Sequence, residues 1–541
     1  MPDTQFRRVM GFLRYTFHLS KPITMTKRLL IIAILFITKI ASAQTTAWIK
    51  QLNEEENFLT AGSSRYYTVS KTPYASTTYT VRQFSSSGTA LLATTISPGS
   101  PFTSMNVVKI LATPNNELYI LAFGNYGGTR EGMLFKLSSS LLQLWVRTLP
   151  AGFNYSYPTP IDMAVKGNDI AVLMKSNTTA GNSSFELRAV SKSTGNITIV
   201  GQSGTIFSYL TPVSMAVDAS QNVYVCGEIT TNNAILLKYN SGFSQAWSKV
   251  YSMGGRTWFS SITTDSYGNV YVAGAGKTTS TSNYKTIVRK YSSAGALQSS
   301  YASANLPSGN YWPTVGPKIK ITAANELFVG NASNGVVQPR IMAYKFNTSN
   351  LATPTFAVTH LLPLSYWNFN MTGFEATQGG NLFFTGSNIG TSNLSINYVT
   401  AKVRANGTLE FTEVYNGGRC NAMIKAIPGS FPNDEFVTTG VISNINMLIK
   451  YSGPGARLEN ETELSMKSDI TVYPNPATSN FNLNGVLENT SVTIYDMSGR
   501  MVLRTNYQPG VSIDVTGWKK GLYLLNIETA EGMMSRKVLV D

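Results

Sequence analysis

Cysteine, histidine and charge are all scarce in this chain of 541 residues. Cys226 and Cys420 are its two cysteines, too few for a disulfide-stapled scaffold. His18 and His360 are its two histidines, which excludes a multi-histidine metal centre and makes any Ser-His-Asp triad depend on a single candidate. His360 reads as structural. Charged residues amount to 13%, against about 25% in an average globular chain. The formal charge of +15 comes from scattered Lys and Arg with no dense run. That pattern reads as a solvated basic surface and gives nucleic-acid binding no support, while leaving open a weak attraction to acidic glycans or lipopolysaccharide. The sequence has no Gly-rich phosphate loop, no nucleophile motif and no Asp-x-Asx-x-Asx calcium pattern, so neither a cofactor nor a metal is expected. No apolar run reaches the ~20 residues that a membrane-spanning helix needs.

What is there begins with an export signal. Lys27 and Arg28 precede the apolar run Leu29 to Ile37, and Ala41, Ser42 and Ala43 supply small residues before Gln44, so residues 25–43 read as a signal peptide. Residues 1–24 read as an upstream extension, with the mature chain starting near Gln44. Without residues 1–43 the chain keeps 36 basic and 27 acidic residues, a formal charge of +9.

Ser, Thr, Asn, Gly and Tyr fill the place of the missing charge, a composition suited to short strands joined by polar turns. The fullest instance is Asp265 to Gly274, in which an Asp-Ser-Tyr-Gly-Asn turn feeds the β-prone run Val270 to Val272. Related strands start near Tyr66, Leu118, Ile170, Val223, Val270, Leu327, Leu382 and Phe436, at spacings of 47 to 57 residues. Third and fourth strands follow each start, except that the eighth unit lacks a fourth. Ala47 to Leu52 resembles the fourth strand Ala246 to Val250, so Trp48 and its neighbours are expected to complete the last unit and close a ring. A period of this length made of four strands predicts an all-β fold: a β-propeller of eight blades over residues 44–452, with seven as the alternative. Cys226 and Cys420 would then lie across the ring as free thiols.

The units resemble the bacterial β-propeller repeat family with a Gly-Asn-Val-Tyr-Val core, matched at Gly268 to Val272 and more loosely at Gln221 to Val225 and Gly380 to Phe384. The resemblance implies a fold and says little about activity.

Residues 453–469 read as a linker, and strands resume at 470–541 as a small Ig-like β-sandwich. Four ordered motifs lie in it: Tyr473, Pro474, Asn475, Pro476; Ile494 to Arg500, with Asp496, Gly499 and Arg500; Gly521, Leu522, Tyr523; and Lys537 before Val538, Leu539 and Val540. These resemble the type A C-terminal sorting domain of the type IX secretion system of Bacteroidetes. The resemblance implies periplasmic transit, recognition by the secretion machinery, and delivery to the outer cell surface or the extracellular space.

Aromatic residues recur where one blade leads into the next: Phe153, Tyr155 and Tyr157; Phe207 and Tyr209; Trp258 and Phe259; Tyr311 and Trp312; Tyr366, Trp367 and Phe369. Stacked rings among Asn, Ser and Thr suit a sugar or peptide, and the same rings also suit blade-to-blade packing. As a platform, the binding residues would be Tyr157, Tyr209, Trp258, Tyr311, Trp312 and Trp367. Asp218 and Asp265 read as turn residues. Asp162, Glu375 and Glu413 are the carboxylates available to a glycosidase. The sequence favours a secreted, non-enzymatic binding or adhesion module for glycans or for surface or host proteins. A surface polysaccharide hydrolase or lyase, or a purely structural surface protein, are the alternatives.

Overall fold

The computed structural model describes residues 45–52, 56–71, 77–150, 155–178, 183–202, 210–229, 232–304, 316–333, 339–362, 369–389, 396–416, 418–426, 435–442, 445–452, 471–484, 490–496, 500–508, 511–529 and 532–541. The chain divides into two compact units, residues 1–456 and 457–541. The signal peptide and the linker expected from the sequence lie outside the described residues.

The turn at Asp265 shows how the sequence sets the repeat. Asp265 Oδ1 accepts hydrogen bonds from the backbone N–H groups of Tyr267 (2.9 Å) and Asn269 (2.8 Å), while Oδ2 accepts from Asn269 Nδ2 (2.8 Å) and Tyr271 OH (2.9 Å). Gly268 takes a φ of +79°, which the turn requires and which costs a glycine little. Asp218 repeats the arrangement with Asn222 and Tyr224. The following strand, Val270–Gly276, is buried on both faces. Val270 and Val272 pack towards the preceding blade, Tyr271 and Ala273 towards the next. Burial on both sides explains a continuous apolar run in place of alternation.

Unit one holds eight four-stranded antiparallel sheets. They span residues 56–96, 106–149, 155–202, 210–251, 257–302, 318–361 and 369–416, with the eighth built from 419–452 and residues 45–52; they are called blades 1 to 8 below. In chain order the inner strands are Glu56–Ala61, Asn106–Ala112, Tyr155–Lys166, Leu210–Val217, Thr257–Thr264, Lys318–Ile321, Phe369–Ala376 and Arg419–Lys425. Each packs beside the next, and the eighth packs beside the first, so the ring is closed and the count is eight. Thr45–Leu52 pairs antiparallel with Ile445–Ser452, placing Trp48 opposite Lys450 and Ile49 opposite Ile449. The N-terminal strand therefore supplies the fourth strand of blade 8.

Seven of the eight inner strands carry a register shift, the exception being the four-residue Lys318–Ile321. Such bulges bend and twist a strand and re-aim the residues that follow. Lys109, Asp162, Ser214 and Ser261 each follow a bulge, and Lys318 occupies the equivalent register in blade 6.

The basic residues depart from a solvated surface. Lys136, Lys238, Lys290, Lys345 and Lys402 hold one position on the third strands, opposite Tyr119, Tyr224, Tyr271, Phe328 and Phe383 on the second. Each ammonium sits 5.5 to 5.8 Å from the centre of the facing ring. Lys136, Lys238 and Lys290 then donate to a turn carbonyl of the next blade, at Lys192 (2.8 Å), Ser293 (2.7 Å) and Thr348 (2.8 Å). Gln83 does the same from blade 1, to Ser139 (2.8 Å). Where Glu replaces Asn just before the second strand, the lysine also forms an ion pair: Lys136 with Glu117, Lys345 with Glu326, Lys450 with Glu435. Long apolar stems fill the wedge between sheets while the charged tips find carbonyls and carboxylates.

Cys226 in blade 4 and Cys420 in blade 8 are free and buried, and burial pushes both thiols up from their ordinary pKa. Thiolate chemistry is thereby suppressed.

Unit two packs a three-stranded sheet and a four-stranded sheet around Phe481, Leu483, Val492, Ile494, Tyr507, Leu525, Ile527 and Val538. The short strands Asn480–Asn484 and Ile513–Asp514 were not apparent from the sequence.

Replacing Lys136 by Met keeps the stem but removes the bond to the Lys192 carbonyl and the ion pair with Glu117. A urea midpoint reduced by the equivalent of about 1–3 kcal/mol is expected, whereas Lys537→Met on the exposed edge leaves the midpoint in place. An unchanged midpoint in Lys136→Met would contradict the bracing role.

Candidate functional site

Of the six aromatic binding candidates, Trp258 alone has a described side chain. It lies within the inner strand of blade 5 and not in the connection before it. The Arg256 guanidinium sits 5.0 Å from its ring centre, and Tyr284 makes an edge contact at 5.2 Å and 73°. Glu228 fixes Arg256 through two bonds, Nε to Oε1 at 2.8 Å and an NH2 bond to Oε2 at 3.0 Å. Nearby, Phe259 is buried and stacks on Tyr251 of blade 4 (6.4 Å, 7°), and Phe369 is buried in the core between blades 6 and 7. Trp258, Phe259 and Phe369 are therefore engaged in packing. Tyr157 belongs by its backbone to the inner strand of blade 3. Its side chain, together with Tyr209, Tyr311, Trp312 and Trp367, lies outside the described residues, as do Phe153, Phe207 and Tyr366.

The inner strands bring together a second group. Lys109 of blade 2 forms an ion pair with Asp162 of blade 3. Asp162 also accepts bonds from the N–H groups of Met163 and Met215 (both 2.9 Å) and from Ser214 Oγ (3.3 Å), so it ties three blades together. Lys320 of blade 6 donates to Glu375 of blade 7 at 2.8 Å. The side chain of Lys318, two residues before Lys320 on the same inner strand, makes no hydrogen bond or ion pair among the described residues. Its pKa is lowered, first by desolvation and next by the charge of Lys320; Lys109 pushes the same way, and Asp162 and Glu375 oppose them. Lys109, Asp162 and Lys318 hold the same register on the inner strands of blades 2, 3 and 6, and blades 2 and 6 face each other across a ring of eight, so the three belong to one layer of the channel wall. Chemically, these inner strands offer the ammoniums of Lys109, Lys318 and Lys320 and the carboxylates of Asp162 and Glu375, each carboxylate already bound to a lysine.

The other candidates fall elsewhere. Glu413 is buried on the outer strand of blade 7. His360 Nε2 lies 2.9 Å from the Gly407 carbonyl, bridging blades 6 and 7. Among the described residues no group of three or more His, Cys, Asp or Glu side chains could hold a metal ion. Lys318 was missed in the sequence because its signal is positional: it emerges only when inner strands are aligned on their bulges.

In unit two, Asn475 acts as an extra rung on the edge strand Gly532–Val540. Its Nδ2 donates to the Lys537 carbonyl (3.0 Å) and its Oδ1 accepts from Leu539 N–H (2.9 Å). Asp496 holds its turn by accepting from Arg500 N–H and Nε (both 3.1 Å), and Tyr523 OH donates to the Lys519 carbonyl at 2.6 Å. Gly521 takes a φ of +150°, and Tyr473 and Lys537 are exposed. Gly499 lies outside the described residues.

Packing at Trp258 predicts that Trp258→Ala lowers stability by about 2–3 kcal/mol, less than the ~3–5 kcal/mol of a fully buried Trp. Urea denaturation checks it, and a wild-type midpoint would contradict the packing role.

No curated protein matches the chain in sequence. Among solved structures, the WD40 domain of SCAP from fission yeast superposes with a TM-score of 0.44 and 8% identity, covering 76% of this chain and 98% of that one. Sqt1 from Chaetomium thermophilum gives 0.44 and 11%, covering 76% and 99%. A protein of unknown function from Dyadobacter fermentans gives 0.32 and 9%, covering 56% and 95%. The propeller assignment rests on the closed ring of sheets described above. Residues 471–541 match the secretion system C-terminal sorting domain, so this chain carries a type IX sorting tail and the address for the cell surface or the extracellular space.

Proposed function

We propose that the chain is a non-enzymatic binding or adhesion module that displays its propeller to glycans or to surface or host proteins. A signal peptide at residues 25–43 would bring it to the periplasm, where the sorting tail engages the secretion machinery. The observation that carries the reading is the state of the inner-wall acids. Asp162 accepts from Lys109 and from two backbone N–H groups, and Glu375 accepts from Lys320, so both are already engaged by partners. A glycosidase needs one carboxyl free to give a proton and another free to attack or to activate water. The ligand-binding residues of this reading are Tyr157, Tyr209, Tyr311, Trp312 and Trp367.

A polysaccharide hydrolase or lyase is the second reading, favoured by one observation: Asp162 and Glu375 both stand on inner strands, those of blades 3 and 7. A panel of glycans and host proteins, screened with the exported chain and with Trp312→Ala/Trp367→Ala, separates the two. Binding that the double variant loses at an unchanged melting temperature is the expected result. Release of oligosaccharides that Asp162→Asn or Glu375→Gln abolishes would overturn it in favour of the enzyme. Neither binding nor turnover would leave a structural surface protein.

A further inference from the structure

We propose that Lys318 is the centre of an oxyanion site in the propeller channel, taking a carboxylate or sulfate group. The inference goes beyond the binding face proposed above and does not depend on it.

Three ammoniums and two carboxylates share this stretch of inner wall. The carboxylates are used: Asp162 by Lys109 and Glu375 by Lys320. Lys318 is left as the surplus cation, with no hydrogen-bond partner among the described residues and its side chain partly removed from water. A desolvated, unpaired ammonium is costly, and an arriving anion relieves that cost by supplying both charge and acceptors. The side chains of Lys109 and Lys320 are 40% and 43% exposed and add positive potential to the same layer of strands. Ser261 supplies a neutral donor. Its Oγ accepts from Ile319 N–H at 3.2 Å, next to Lys318, and keeps its own hydrogen to give.

Backbone geometry makes the position rigid. Ile319, adjacent to Lys318, is buried in the core between blades 5 and 6, and Lys318 itself pairs with Gly330 on the second strand. A Cβ at Gly330 would meet the Phe374 ring of blade 7 at 2.3 Å, so the wall beneath the lysine is closely packed. The ammonium is thus presented from a fixed strand. Asp162 and Glu375 limit the size and charge of the guest: they repel a polyanion that presses against the wall and tolerate a single oxyanion group at the centre.

The test is isothermal titration of the exported full chain with sodium sulfate, with sodium D-glucuronate, and with D-glucose as the neutral control. One-to-one saturable binding of one or both anions is expected, with none of glucose. Binding should weaken by at least about tenfold in Lys318→Met and return in Lys318→Arg, the scale expected for losing the charged partner of a buried pair. Sulfate alone or glucuronate alone would say which oxyanion the site takes. A measurement on the unaltered chain guards against a folding defect. Either anion that binds should slow reductive methylation of Lys318, read by peptide mass spectrometry, while leaving exposed Lys537 unaffected. Absence of saturable binding by both anions, equal binding by Lys318→Met, or unprotected Lys318 would each overturn the proposal.

Discussion

Eight sheets stay in a ring because the two ends of the propeller chain share one blade. Residues 445–452 would otherwise present a strand with unpaired N–H and C=O groups, an edge open to water and to other chains. Thr45–Leu52 covers it with backbone pairing in register from Thr45 opposite Ser452 to Leu52 opposite Asn446. The channel follows from that closure. Lys109 and Lys318 stand at one register on opposite sides of the axis only because the inner strands of blades 2 and 6 are held at opposite points of a closed circle.

Between neighbouring blades the chain uses two chemistries at one joint. Where the turn carries Asp218 or Asp265, an Asn and a central-strand Tyr satisfy its carboxylate. Where the residue before the second strand is Glu117 or Glu326, the third-strand lysine neutralises it. Both arrangements give the buried group at the joint its partners, the carboxylates of Asp218 and Asp265 in one case and the Lys136 ammonium in the other. The chain's positive charge is to that extent structural: a lysine holds this third-strand position in blades 2, 4, 5, 6, 7 and 8, with Gln83 in its place in blade 1 and Ala189 in blade 3.

Fold and site were unequally legible from the sequence. Strand starts recurring from Tyr66 to Phe436, and the likeness of Ala47–Leu52 to a fourth strand, reflect local rules of turn and periodicity, which a single sequence displays. The lysine braces were hidden, since Lys136 and Lys238 look like solvated residues until the next blade's carbonyls are placed over them. Aromatic residues were legible as a pattern but ambiguous as to role: Trp258 sits in an inner strand under Arg256 and against Tyr284, a contact set that sequence spacing cannot supply. Lys318 was invisible for a different reason, because its meaning depends on the register it shares with Lys109 and Asp162 on the inner strands of other blades.

Native-state hydrogen exchange, resolved by segment, tests the closed ring most directly. Amides of Thr45–Leu52 should be as protected as those of Ile445–Ser452 and should exchange together with central strands such as Val270–Gly276, in one cooperative opening. Rapid exchange of Thr45–Leu52 while the central strands remain protected would contradict closure by the N-terminal strand, and with it the geometry assigned to the channel.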